Sequence, residues 1–215
     1  MTTTEERPKL NQNGGDGDFM NSRRLYHGAA PYVLGKSVLD FGCGYGHGSY
    51  FLNPWALKVT GFDLHQHVVD KANELFGSAT LKYTSDLATV EKEPFDVVVS
   101  IEAIEHLEKP DLDEKLAWFA TKAPSIYCTT PNGNVFHYQP QTPAERRGYH
   151  IWHYTETELV VLFRKHYKFV DIHGVLRDPM AEQPRGRWMG YAIFASNLIS
   201  TPENFMTDYK VRGAK

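Results

Sequence analysis

Glu102, Glu105 and His106 bring two carboxylates and an imidazole together at spacings i, i+3 and i+4. On a helical turn that spacing puts all three side chains on one side. Such a set suits a hard or borderline divalent ion. Further on, Tyr149-His-Ile-Trp-His153 offers a fourth donor. The same groups have a metal-free use, because a neutral histidine takes a proton from an alcohol or phenol. In a third reading the cluster is structural.

A second group of residues points to a ligand with a ribose. Val38-Leu-Asp-Phe-Gly-Cys-Gly-Tyr-Gly-His-Gly48 places glycines at alternate positions. Glycine admits positive φ and lets a ligand touch the backbone, and a following helix offers free N–H groups. A dinucleotide fingerprint needs G-x-G-x-x-G, and counting from Gly42 puts His47 where the third glycine belongs. Asp40, ahead of the loop, would repel a pyrophosphate; it suits a ligand carrying an ammonium and a sulfonium. Asp63 stands where a carboxylate grips ribose hydroxyls in nucleotide-binding α/β folds. The bland alternative is a tight strand-to-helix turn.

Alternating strands and helices must position these residues. Apolar runs at Ser37–Phe41, Leu57–Asp63, Leu81–Thr84, Phe95–Ile101, Ser125–Thr130, Lys168–Val175 and Gly190–Ser196 read as strands. Phe95–Ile101 is continuously apolar, as in a strand buried on both faces of a parallel sheet. Helices are expected at His65–Phe76, through Val68, Val69, Ala72, Leu75 and Phe76, and at Asp111–Thr121, through Leu112, Leu116, Trp118 and Phe119. A third opens on a capping box, Thr155-Glu-Thr-Glu158. This alternation predicts an α/β domain whose ligands bind at the carboxyl ends of the strands.

The chain has 215 residues, 41% hydrophobic and 23% charged, with formal net charge −3. That suits one folded domain rather than disorder and carries no strongly basic footprint for nucleic acid. No apolar stretch is long enough to span a bilayer, and no secretion signal opens the chain, so a cytoplasmic protein is the expectation. Residues 1–18 and 199–215 read as polar tails around a domain at 19–198. Cys43 and Cys128 form no disulfide framework and read as packed residues, Cys43 within the loop.

The glycine run resembles the first motif of class I S-adenosylmethionine-dependent methyltransferases, and Phe95-Asp-Val-Val-Val-Ser-Ile-Glu-Ala-Ile-Glu-His-Leu107 resembles their fourth-strand motif. The resemblance covers roughly Tyr26 to Ser196. It implies a Rossmann-like α/β fold with a mostly parallel seven-stranded sheet, an antiparallel last strand and helices on both faces. It implies S-adenosylmethionine as cofactor, held by Asp40, Gly42, Cys43 and Gly44, by Asp63 and Leu64 at the ribose, by Asp86 and Leu87 at the adenine, and by Ile101. Arg24, in Arg24-Leu-Tyr-His27, would reach the methionine carboxylate.

The Glu-x-x-Glu-His element resembles that of ubiquinone-pathway O-methyltransferases and of the terminal 2′-O-methyltransferases of small RNAs. In the latter it accompanies a Thr-Pro-Asn element, here Thr130-Pro-Asn132, and a later histidine, here His150, four residues before Tyr154-Thr155. That resemblance favours His150 over His153. The resulting metal set is Glu102, Glu105, His106 and His150, holding Mg, Mn or Zn; without metal, His106 and His150 are the catalytic pair. Tyr26-His27 with Cys43-Gly-Tyr-Gly-His-Gly-Ser49 is also loosely similar to methyltransferases of bacterial and phage polysaccharide clusters.

The insert after the fifth strand, residues 132–154, carries Phe136, His137, Tyr138, Tyr149, His150, Trp152, His153 and Tyr154 with Arg146 and Arg147. A second basic loop is Arg185-Gly-Arg-Trp188. Aromatics with arginines stack on and neutralise nucleotides or sugar phosphates; an ordinary lid has the same composition. The expected activity is O-methylation of a small-molecule or sugar-like hydroxyl acceptor. The alternatives are a nucleic-acid methyltransferase, acting on a terminal ribose or a base, and a non-catalytic cofactor-binding subunit. No membrane partner is expected, and the oligomeric state stays open.

Overall fold

The fourth strand shows why the sheet is buried on both faces. Val97 and Val99 pack into one core and Val98 into a second, because successive side chains of a strand point to opposite faces. All three are fully buried, worth about 2 kcal/mol each by area. The protein is described by a computed structural model covering residues 17–136, 150–177 and 188–198.

The elements run α1 (Gly17–Val33), β1 (Ser37–Phe41), α2 (His47–Leu52), β2 (Lys58–Phe62), α3 (Gln66–Phe76), β3 (Leu81–Thr84), α4 (Leu87–Lys92) and β4 (Val97–Ile101). A single 3₁₀ turn (Ile104–His106) follows, then α5 (Lys109–Lys122), β5 (Ser125–Pro131), α6 (Gly133–Phe136), α7 (Glu156–Phe163), β6 (Phe169–Arg177) and β7 (Trp188–Ser196). The seven strands form one sheet in the order β3-β2-β1-β4-β5-β7-β6. β1 to β5 pair in parallel, and β7 runs antiparallel between β5 and β6. This is the fold class expected from the sequence, including the antiparallel last strand.

Residues of α1, α2 and α3 fill the core on one face, and those of α4, α5 and α7 fill the other. The apolar face read for α3 is narrower than its periodicity suggests: Val68, Val69 and Ala72 are buried, whereas Leu75 is exposed. Trp118 of α5 only packs against its core from the edge. Three short helices, α2, α4 and α6, carry too little periodicity to be placed from sequence. The polar tail expected at 1–18 lies outside the described residues except Gly17 and Asp18, which open α1; 199–215 and most of the 132–154 insert lie outside them as well. No described helix is long and apolar enough to cross a membrane.

Register decides what meets at the carboxyl ends of the strands. Phe41 lies beside Phe62, and Ile101 beside Thr129. The loop after β1 therefore adjoins Asp63, and Glu102 emerges next to the threonines that close β5.

Candidate functional site

The glycine loop is built around two aromatic side chains. Gly42 and Cys43 both donate backbone N–H bonds to the Phe62 carbonyl, at 2.8 and 3.0 Å. Gly46 turns into α2 with φ 85°, a left-handed conformation that costs other residues about 1–2 kcal/mol. The Tyr83 hydroxyl donates to the Gly46 carbonyl at 2.8 Å. At Gly48 a Cβ would lie 1.9 Å from the Tyr26 ring, so α1 can settle on the loop only because no side chain is there.

Asp40 sits behind this loop rather than in it. It is fully buried. Ser49 Oγ donates to its Oδ2 at 2.6 Å, and the Tyr26 hydroxyl lies 3.2 and 3.3 Å from its two oxygens. Burial pushes its pKa up to about 7, with the charge of Asp63 adding to the rise and the Ser49 and Tyr26 bonds opposing it. The sequence reading put Asp40 against a cationic ligand; the structure makes it a charge set one layer behind the glycines. Tyr26, in the segment expected at the methionine end, turns its hydroxyl to Asp40, while Arg24 is exposed. Cys43 is buried in the loop.

Asp63 closes β2. Its Oδ2 accepts the Gly44 N–H at 3.2 Å, and its Oδ1 accepts the His65 N–H at 3.0 Å and lies 2.9 Å from His65 Nδ1. Its neighbour Leu64 is 78% exposed, and Leu87 is 37% exposed; large apolar side chains so placed at the strand ends suit the face of an aromatic base. Asp86 caps α4, its Oδ1 accepting the Ala88 N–H at 3.0 Å and its Oδ2 the Thr89 hydroxyl at 2.8 Å. The Thr89 hydroxyl bond, ahead of the Ala88 N–H, holds its carboxyl below the usual carboxylate range. Ile101 is buried.

The acid–histidine cluster differs from a helical turn. Glu102 has φ 50° and is the one described non-glycine residue with positive φ. Its N–H donates to the Thr129 carbonyl at 3.1 Å, and its Oε1 accepts from Thr129 Oγ1 at 2.8 Å. Only then does the 3₁₀ turn carry Glu105 and His106. Burial pushes Glu102 up to about 7, against the Thr129 bond. Glu105 is fully buried: Thr130 Oγ1 donates to its Oε2 at 3.1 Å, and its Oε1 has no hydrogen-bond partner. Burial, then the charge of Glu102, pushes Glu105 well above the carboxylate range.

The segment from His150 is clamped onto this turn. Ile151 and Trp152 donate their N–H groups to the Glu105 carbonyl at 2.8 and 3.0 Å, and the Tyr154 hydroxyl donates to the Leu107 carbonyl at 3.0 Å. Gly133 donates its N–H to the Tyr154 carbonyl at 2.9 Å. One donor atom from each of Glu105, His106 and His150 lies within 4.8 Å of the others. Glu102 is not part of that group, so three of the four residues expected to hold a metal converge; the left-handed backbone at Glu102 turns it toward Thr129. The His106 and His150 rings meet edge-on, 5.1 Å between centroids. Burial and then His106 lower the pKa of His150; burial, then His150 and His106, lower His153 to about 4. Both imidazoles are thus neutral near pH 7.

Residues that sequence reasoning missed hold this site in place: Ser49 beneath the loop, Tyr83 against Gly46, Thr129 and Thr130 on the two carboxylates, and His153 beside His150. Thr129, Thr130 and Tyr83 act through partners far along the chain, while Ser49 and His153 lie in motifs that the sequence shows without giving their roles. His137, Tyr138, Tyr149, Arg146, Arg147, Arg185 and Arg187 lie outside the described residues.

A family model described as a methyltransferase domain matches residues 19–175. The methyltransferase domain of a bacterial Hen1 protein is similar in structure, with a TM-score of 0.59, 23% identity, and 81% of this chain and 98% of that one covered. An S-adenosylmethionine-dependent methyltransferase from Mesorhizobium loti has a TM-score of 0.59 at 16% identity, covering 80% of this chain and 96% of its own. The N-methyltransferase NodS from Bradyrhizobium japonicum has a TM-score of 0.57 at 14% identity, covering 84% and 97%. A comparison with curated proteins finds no match.

Proposed function

The chain belongs to the methyltransferase-domain family and is an S-adenosylmethionine-dependent methyltransferase, and on that premise we propose that it methylates a hydroxyl oxygen of a small or sugar-like acceptor with the help of a divalent ion. One observation carries this reading: Glu105 is buried with its Oε1 unpartnered, and a carboxylate oxygen of it lies within 4.8 Å of a ring nitrogen of both His106 and His150. An unsatisfied buried carboxylate is costly, and the two imidazoles beside it, His106 and His150, complete the donor set of a cation site. A donor set with two imidazoles suits Zn better than Mg.

S-adenosylmethionine would supply a sulfonium methyl group for in-line transfer to the acceptor oxygen, the carbon–sulfur bond breaking and the acceptor's proton passing to water or a neutral histidine. The chain's own residues bind and align. Asp63 takes the ribose hydroxyls, while Leu64, Asp86 and Leu87 take the adenine. Glycines 42 to 46 and Ile101 flank the methionine end. Glu105, His106 and His150 would hold the ion, which when bound lowers the pKa of an acceptor hydroxyl and orients it. Thr130 holds Glu105 and Thr129 holds Glu102 from β5.

Calorimetric titration with S-adenosylhomocysteine, with and without Mn²⁺ or Zn²⁺, tests both halves. The cofactor product is expected to bind, and Asp63→Ala to weaken it at least tenfold. A separate saturable metal signal is expected and should vanish in Glu105→Gln. Cofactor binding with no metal signal, and turnover that survives EDTA, would leave the metal-free mechanism, with His106 or His150 as base. Acceptor screening starts with diols and catechols.

A second reading is methylation of a terminal ribose on RNA. It is favoured by the approach of Glu105, His106 and His150 and by the Thr130–Glu105 bond, within the combination in which the sequence resembles terminal 2′-O-methyltransferases. RNA binding that falls steeply with salt would support it.

A further inference from the structure

His150 shares a hydrogen with a second imidazole. Its Nδ1 lies 2.6 Å from Nε2 of His153, so one nitrogen carries the proton and the other accepts it. Neither ring is loosely held. His153 is 7% exposed, and its carbonyl lies 2.3 Å from where a Cβ on Gly133 would stand. The backbone between the two histidines is tied to Glu105 by the Ile151 and Trp152 N–H groups. With both rings neutral the pair therefore has two arrangements: both rings carry their hydrogen on Nδ1 and His150 donates, or both carry it on Nε2 and His153 donates.

If His153 donates, His150 carries its own hydrogen on Nε2. That nitrogen can then neither hold a cation nor take a proton. The unpartnered Oε1 of Glu105 accepts no hydrogen bond from His150. If His150 donates from Nδ1, its Nε2 lone pair is available to the cluster. Resting on the reading of the cluster given above, we propose that His153 is a positioning residue: its Nε2 accepts the Nδ1–H of His150 and so holds His150 in the tautomer whose Nε2 lone pair serves the Glu105–His106 site. A hydrogen bond at the far nitrogen commonly sets ring orientation and tautomer in this way.

Long-range ¹H–¹⁵N correlation spectra of the full chain labelled with ¹⁵N-histidine, recorded in EDTA at pH 8, read the tautomer directly. His150 is expected as the Nδ1–H form. His153→Gln places an amide oxygen near the same point and should keep that form. His153→Phe keeps a ring of similar size without an acceptor and should shift His150 toward Nε2–H. Zn²⁺ affinity by calorimetry should fall 10- to 100-fold in His153→Phe and less in His153→Gln, with S-adenosylhomocysteine binding unchanged in both. An Nε2–H tautomer in the parent chain, or equal losses in the two variants, would overturn the proposal. If the His153-dependent tautomer is seen but neither metal nor base chemistry depends on His150, as His150→Ala would show, the reading of the cluster falls and the tautomer control stands.

Discussion

Glu102 shows what a single residue gives up to stand at such a site. Its backbone is in a conformation disfavoured for side chains, and burial pushes its carboxyl up to about 7. A carboxyl whose folded pKa is raised contributes stability below its unfolded pKa, near 4. That contribution is lost as pH rises to the folded value. Glu102→Gln removes the ionisation and keeps the shape. In EDTA the variant should melt at about the parent's temperature at pH 5, and higher at pH 8 by up to roughly 3 kcal/mol of stability. A parent protein that is the more stable at pH 8 would show Glu102 to be better compensated than its single Thr129 partner suggests.

At the scale of elements, two contacts decide whether the loops are held. α1 rests on α2 through Tyr26 over Gly48. Gly48→Ala should cost about 1–3 kcal/mol, as overpacking does, and Gly48→Ala with Tyr26→Ala should cost less than the sum of the single changes. Thermal melting of the four proteins measures that coupling; strict additivity would mean the two do not touch. α7 begins on the reciprocal bonds of its capping box, Thr155 with Glu158. Thr155→Ala should cost about 1 kcal/mol, read as a lowered denaturation midpoint with unchanged m-value.

For the whole molecule, three carboxyls, the buried Asp40 and Glu105 and the half-buried Glu102, have raised pKa values with desolvation as the first cause. The sign is the same for each: ionisation opposes folding, so stability falls as pH rises through their folded values. For Asp40 a rise to about 7 corresponds to roughly 4 kcal/mol between pH 4 and neutrality. The protein without ligands should therefore melt lower at pH 8 than at pH 5.5. Cationic ligands should flatten that slope, S-adenosylmethionine near Asp40 and Zn²⁺ near Glu105. A melting temperature that rises with pH over this range would contradict the burial of these charges.

The sequence by itself determined the sheet, since short β-branched apolar runs such as Val97–Val99 alternate with amphipathic helices, and glycines at 42, 44, 46 and 48 allow a loop that other residues would strain. It also set Asp63, Glu105 and His106 just past strand ends, because each follows an apolar run; His150, in the insert after the fifth strand, was singled out only by the family resemblance. Only the tertiary structure decided what each side chain meets. Asp40 reads the same in sequence whether it faces a ligand or is buried; Tyr26 and Ser49, brought in by α1 and α2, bury it. Glu102 fits a helical spacing with Glu105, yet the register of β4 on β5 places Thr129 beside it and turns its backbone out of the helix. His153 differs from His150 by three positions in one short segment, and only the clamp on the Glu105 carbonyl sets one ring behind the other. Hydrogen bonds between residues far apart in the chain leave no period or spacing to read, so the partners that tune the site became visible only in the fold.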